Sequence, residues 1–349
     1  MAATVRTTLP ELDELERLIY RHEARLRVEM AGHVRLPHRR LPIYVLEMGS
    51  TAPDAPVLGV FGGVHGNERI GTKVVLAWLH SLLEQLRWDE QAQNLLERCR
   101  VVCMPLVNPG GMSANRRSTL DGIDLMRNAP VDADSAHWLL GGQRISRHLS
   151  WYRGKRGEMA PEAQALCRVV RERMHTQPFS LAVDCHSGFG SWNRIWFPYA
   201  RTTRPIPHLA EIFALRSLFR TTYPHHISYR IEPQSANYTT HGDLWDYLYD
   251  EHLQQRERLF LPLTLEMGSW LWVRKNPLQL LQPAGMFNPL APHRRRRILR
   301  QHLLWFDFLL RAVASFRSWL PHQDERDELA MIGREYWSTL ASVSPSPSP

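Results

Sequence analysis

Cysteine is scarce. The 349 residues include four, Cys99, Cys103, Cys167 and Cys185, and no two are spaced as a CxxC pair. That excludes a disulfide framework, and in a chain of this length it points to reduced thiols in a core. Long apolar runs are missing as well. No stretch approaches the ~20 residues of a membrane-spanning helix. The opening segment, MAATVRTTLPELDELERL, has no apolar core of the kind a signal peptide carries. The expectation is a cytoplasmic protein without a membrane partner. Charge is not concentrated either. The formal charge is +8, but the basic residues are scattered, apart from HRRRR at 293–297. A cluster of that size reads as a solvated helix face, so no nucleic-acid partner is expected. Internal repeats and a clear interdomain linker are both absent.

What is present is an ordinary globular composition, 44% hydrophobic and 22% charged, enough to bury a substantial core. Short apolar runs recur: Leu41 to Gly49, Pro56 to Gly63, Arg100 to Val107, Phe179 to Cys185, Arg194 to Ala200 and Leu259 to Gly268. Each is bounded by glycine, proline or polar residues, as buried strands are. Pro262 marks the last as an edge or a bulge. Between them lie helical patterns, the clearest being the stripe Ile70, Val74, Val75, Trp78, Leu79, Leu82, Leu83 and Leu86. Others fall at 160–175, 207–221 and 296–319, and a helix is expected over 11–30. Strands alternating with helices predict an α/β fold with a mixed, largely parallel sheet flanked by helices. The simplest partition is a helical extension at 1–40, a catalytic domain at 41–320 and a C-terminal extension at 321–349 ending in a disordered Ser/Pro tail, SVSPSPSP.

The chemistry collects where strands end. FGGVHGNERIG, Phe61 to Gly71, follows one apolar run and precedes the helical stripe, with His65 and Glu68 three positions apart among four glycines. Alone, such a pair fits a polar loop as well as a metal site. Three other strand ends change that balance: Asn108 follows a second strand, Asp184 and His186 close a third, and Glu266 closes the last. In open α/β sheets, loops converge over the carboxyl ends of the strands. Two histidines and a glutamate form a known catalytic zinc set with a fourth position open. His65, Glu68 and His186 are therefore the expected ligands. Glu266 remains as a carboxylate able to take a proton from water. Cys185, adjacent to a ligand but on the opposite face of its strand, is expected in the core.

These segments, in order, resemble a known family. GGVHGNE, NPGG, NRRSTLDGIDLMRN, DCHSG and LTLEMG, spread from about Val57 to Gly268, are similar to the motifs of the zinc carboxypeptidases, the carboxypeptidase A-like enzymes. Relatives of the succinylglutamate desuccinylase and aspartoacylase type share part of the pattern. The resemblance implies a twisted eight-stranded mixed sheet with one zinc ion at the strand ends. It implies a peptidase that hydrolyses an amide bond with zinc-activated water. In it, Glu266 is the general base and acid, and Arg117, with Arg116 as the alternative, stabilises the oxyanion. Arg127 grips the substrate's terminal carboxylate, Asp124 orients a ligating histidine, and Tyr238 closes over the substrate. Tyr247 and Tyr249 compete for that last role.

One position departs from the pattern. The family's DLNRN stands here as DLMRN, so Met126 replaces an asparagine that assists Arg127. A thioether donates no hydrogen bond, and grip on a free C-terminus weakens unless Asn128 compensates. Two rivals follow. One is a deacylase of N-acyl amino acids, with the same zinc and glutamate. The other is an inactive peptide-binding protein, against which the intact His65, Glu68, His186, Glu266 and Arg117 argue. Trp270 and Trp272 could line a groove, and His241 reads as a turn residue.

Overall fold

The structure, a computed structural model, describes residues 9–255, 257–282 and 285–343. In chain order the elements are α1 (Pro10–Arg21), β1 (Arg27–Leu36), β2 (Arg39–Gly49), β3 (Val57–Gly62), α2 (Arg69–Gln85), α3 (Glu90–Arg98), β4 (Arg100–Met104), α4 (Pro109–Ser113), α5 (Pro161–Arg173), β5 (Phe179–Ser187), β6 (Asn193–Phe197), α6 (Leu209–Thr222), β7 (Tyr229–Pro233), α7 (Leu244–His252), β8 (Leu259–Met267), α8 (Trp270–Lys275), α9 (Pro292–Ala314) and α10 (Gln323–Val343). The strands form one eight-stranded sheet in the order β1-β2-β4-β3-β5-β8-β6-β7. The central strands β4, β3, β5 and β8 run parallel; β2 pairs antiparallel with β4 and β1, and β6 pairs antiparallel with β8 but parallel with β7. This is the expected mixed, mostly parallel architecture.

The central strands are buried on both faces, which is why they read as unbroken apolar runs. On β5, Cys185 and Asp184 alternate sides. The backbone of Cys185 meets Gly71 of α2, and Asp184 meets Trp245 of α7. α2, α3 and α9 thus cover one face, and α5 and α7 the other. All four cysteines are buried and unpaired. No helix among the described residues is long and apolar enough to cross a membrane.

The ends of the chain differ from expectation. The helix expected over 11–30 stops at Arg21, and Arg27–Leu36 forms the outermost strand, paired with β2. Its first four residues are exposed, so this edge carries no apolar signal. At the other edge, β7 is mostly buried, but it is only five residues long and interleaves Arg230 and Glu232 with its apolar residues, so it forms no apolar run. α10, assigned to an extension, packs on α6. Its Trp337 ring sits against Phe197 and Phe213, and its Nε1 donates to the carbonyl of Ile231 at 2.8 Å. Both segments are built into the same body as the sheet. The Ser/Pro tail beyond Val343 lies outside the described residues. Pro262 sits inside β8, but β6 pairs only with Thr264, Leu265 and Glu266. At Pro262 the strand pairs with β5 alone, so the proline stands at a local edge.

Candidate active site

The parallel register brings the polar strand ends together. β5 and β8 pair residue for residue, so His186 stands directly beside Glu266. Side chains of directly paired residues share a face of the sheet. β3 ends at Gly62, and the loop after it carries His65 back over the same rim. Gly63 adopts φ +64°, which favours glycine. At Gly66 a Cβ would collide with the backbone of Gly111, Met112 and Arg116. Only glycine lets the ligand loop pass that close to the turn after β4. Asn108 fixes that turn by accepting from the N–H of Gly111 at 2.8 Å and donating to the Val64 carbonyl at 3.3 Å.

One donor atom each from His65, Glu68 and His186 lies within 4.8 Å of the others, and all three residues are buried. The rings of His65 and His186 meet edge to face, centroids 4.9 Å apart. Nε2 of His186 donates to Asp184 Oδ2 at 2.6 Å, and that oxygen also accepts from Trp245 Nε1 at 3.0 Å. This fixes the ring with Nδ1 toward Glu68 Oε2, 3.2 Å away. Glu68 is further held by the N–H of Ser187 at 2.9 Å and by Arg117 at 2.9 Å. Nδ1 of His65 is buried and has no hydrogen-bond partner. Two imidazoles and a carboxylate gathered this closely, one ring carrying a buried nitrogen without a partner, suit a divalent cation, and the set is that of catalytic zinc.

Charge in the cluster is finely divided. Burial, and then the nearby Arg117, hold His65 well below its usual pKa, so it is a neutral donor. Burial also pushes His186 down, but Asp184 and Glu68 outweigh it and hold it well above the usual range. A cation competes with that proton. Glu266 is pushed up to about 8, first by burial and then by the Glu68 carboxylate. A cation held by Glu68 neutralises the second cause and returns Glu266 toward values suited to accepting a proton near neutrality. Glu266 Oε1 accepts from the N–H of Phe189 at 2.9 Å.

These residues open on a cavity of about 200 Å³ lined also by Arg117, Met126, Arg127, Tyr238 and Asp243. Arg117 reaches it, whereas Arg116 is exposed and lines none of it. The guanidinium of Arg117 bridges Glu68 and Asp124 at 2.9 and 2.8 Å. Arg127 is buried and pinned by the carbonyls of Leu140 and Met126, each at 3.0 Å, beneath the ring of Tyr238. Tyr238 sits among Phe189 and Trp196 at the cavity wall. Tyr247 instead accepts from Arg171, and Tyr249 bonds His208, both away from the cavity. Trp270 reaches the rim through Phe189 and the Gly188 carbonyl, while Trp272 is buried outside the cavity lining. His241 accepts from the N–H of Ala133, as a turn residue does.

Two residues sit differently from their expected roles. Asp124 Oδ1 approaches His65 Nδ1 to 3.8 Å, too far for a hydrogen bond. Its carboxylate is spent on Arg117 and on the N–H of Met126. The carboxylate that does hold a histidine of the cluster is Asp184, visible in the sequence as a strand-end acid but without an assigned partner. Asn128 does not reach the cavity. Its amide bonds the carbonyls of Arg153 and Glu158 and the N–H of Ala160, so it braces a loop and cannot compensate for Met126. Asp243 went unnoticed. It lines the cavity and caps α7 through Oδ1, and its Oδ2 is buried without a partner.

The zinc carboxypeptidase family model matches residues 37–270, most of the chain and every residue of this cluster. The chain belongs to the zinc carboxypeptidase family. Carboxypeptidase D of Anas platyrhynchos is 24% identical over 173 residues, covering 49% of this chain and 11% of that protein. Carboxypeptidase Z of Mus musculus is 28% identical over 154 residues, covering 38% and 22%. The chain therefore matches only a minor part of these longer relatives. In fold it is similar to bovine thrombin-activatable fibrinolysis inhibitor, solved in complex with tick carboxypeptidase inhibitor. That match has a TM-score of 0.62 at 20% identity and covers 88% of this chain and 96% of the other.

Proposed function

We propose that this zinc carboxypeptidase family member is a metallopeptidase that removes the C-terminal residue of a peptide. The observation that carries the reading is the buried trio His65, Glu68 and His186, donor atoms within 4.8 Å of one another, with Glu266 on the adjoining strand and Arg127 lining the same cavity. His65, Glu68 and His186 would hold zinc, which when bound supplies a Lewis acid that acidifies water and polarises a carbonyl. The protein's own groups do the rest. Glu266 takes a proton from the attacking water and later delivers it to the leaving amine. The N–H of Phe189 holds its carboxylate toward the cavity. Arg117 offers a fixed positive charge to the carbonyl oxygen as negative charge builds there. Arg127, already oriented by two carbonyls, presents its remaining N–H groups to a substrate carboxylate.

Purified protein supplied with zinc is expected to cleave peptides with free C-termini and to spare their amidated counterparts, with loss of activity on chelation. Equal cleavage of both peptide forms would rule out a carboxypeptidase. Activity confined to N-acyl amino acids would instead identify a deacylase. Met126 refines the test. It lines the cavity where an amide side chain would share the carboxylate with Arg127. A hydrogen bond to a charged group is worth about 1.5–3 kcal/mol. Met126→Asn is therefore expected to raise kcat/KM for free C-termini by roughly 10- to 100-fold and to leave amidated peptides unchanged.

A further inference from the structure

α1 lies along α2, and polar bridges run down the contact. Near the start of α2, Arg69 pairs with Glu11 of α1. One turn on, Lys73 pairs with Glu14 at 2.8 Å and approaches Glu11 at 3.6 Å. Each of these rungs joins a carboxylate to a cationic side chain. The rung at the far end has no such partner across it. There His22, which ends α1, faces His80 and Glu84, four residues apart and so on one face of α2.

One donor atom from each of these three residues lies within 4.8 Å of the others. His22 is 4% exposed, and its Nε2 is buried with no hydrogen-bond partner. The nearest carboxylate oxygen, Glu84 Oε1, is 3.5 Å away. The other oxygen of Glu84 is held by Arg87 at 2.9 Å, which leaves Oε1 turned toward His22. A buried imidazole nitrogen without a partner is costly unless something satisfies it. His80 is exposed, so an ion can reach the site from solvent.

We propose that His22, His80 and Glu84 form a second metal site, for a borderline divalent cation of the zinc, cobalt or nickel type. Two imidazoles and one carboxylate are a donor set such ions accept, with solvent completing the shell. The ion supplies the positive charge that Arg69 and Lys73 supply at the other rungs. It ties the C-terminal end of α1 to the helix whose first residue follows the ligand Glu68. Its role is structural, since it stands outside the cavity of the active site.

The test is metal stoichiometry on the intact chain titrated with zinc, with melting temperature as a second readout. Wild type is expected to bind two equivalents. His80→Ala/Glu84→Gln, which alters one exposed and one half-buried side chain, is expected to bind one and keep its peptidase activity. His65→Ala is expected to retain the α1–α2 equivalent. Zinc binding to the native state should raise the melting temperature of His65→Ala, and adding the His80 and Glu84 changes should abolish that rise. A single wild-type equivalent that survives the His80 and Glu84 changes overturns the proposal. A single equivalent that disappears with those changes supports it and leaves the catalytic cluster without metal, so the two readings fail separately.

Discussion

Glu266→Gln is expected to lose about 10²- to 10⁴-fold in kcat while binding zinc as the parent does. The amide keeps the size of the side chain and can still accept from the N–H of Phe189, but it cannot carry a proton from water to the leaving amine. KM should change little, because the interaction removed acts in the transition state. The same variant is expected to be more stable than the parent when metal is absent. Glu266 is raised to about 8 from an ordinary 4.5, chiefly by burial and then by Glu68. Ionising it therefore costs more in the folded chain than in the unfolded one. That cost is absent below the unfolded value and complete above the folded one. The stability gained by Glu266→Gln should thus grow as pH rises from about 4.5 to 8, reaching on the order of a few kcal/mol. Turnover and denaturant midpoints measured across that range check both halves. A variant with full activity would remove Glu266 from the mechanism.

Arg117→Ala is the second large effect, expected to cut kcat by about 10²- to 10³-fold and to weaken the fold as well. Arg117 is the cation between two almost wholly buried carboxylates, Glu68 and Asp124. Burial lowers its pKa, but the two carboxylates outweigh that and keep its charge secure. Asp124 is pushed up by burial and pulled down further by Arg117 and Arg127. Removing one partner of a buried ion pair typically costs about 3–5 kcal/mol, because the remaining charge is stranded; partial exposure of Arg117 puts this case at or below that range. Added zinc is expected to restore part of the loss through Glu68. Arg117→Lys should recover more of the stability than of the turnover, since an ammonium cannot span both carboxylates and still face the substrate. Arg116→Ala, at an exposed neighbour, should leave both within about 0.5 kcal/mol of the parent. If Arg116→Ala proved the more damaging for turnover, the roles of the two arginines would have to be exchanged.

The chain's own pattern already contained the centre of the molecule. β3, β5 and β8 are buried on both faces, so they appear as apolar runs, and their ends carry His65, Glu68, His186 and Glu266. Glycine at 63 and 66 is likewise legible, because a positive φ and a backbone crossing exclude other residues locally. The edges of the sheet were not legible. β1 is largely solvated, β7 is short and carries two charged residues, and what makes them strands is the neighbour each pairs with.

Partnerships of side chains belong wholly to the tertiary structure. Asp124 and Asp184 look alike as carboxylates near ligands. Packing sends the first to Arg117 and brings the second, braced by Trp245, to His186. Asn128 and Asp243 exchange places in the same way, one turned to brace a loop and the other to face the cavity. The sequence by itself determined which strand ends would carry the candidate ligands and the candidate base, because burial and alternation are written along the chain with a short period. The tertiary structure decided which arginine faces the cavity, which acid holds the histidine, and that α1 shares a rung of three donors with α2. Those outcomes depend on distances between residues far apart in the chain, and no local pattern encodes them.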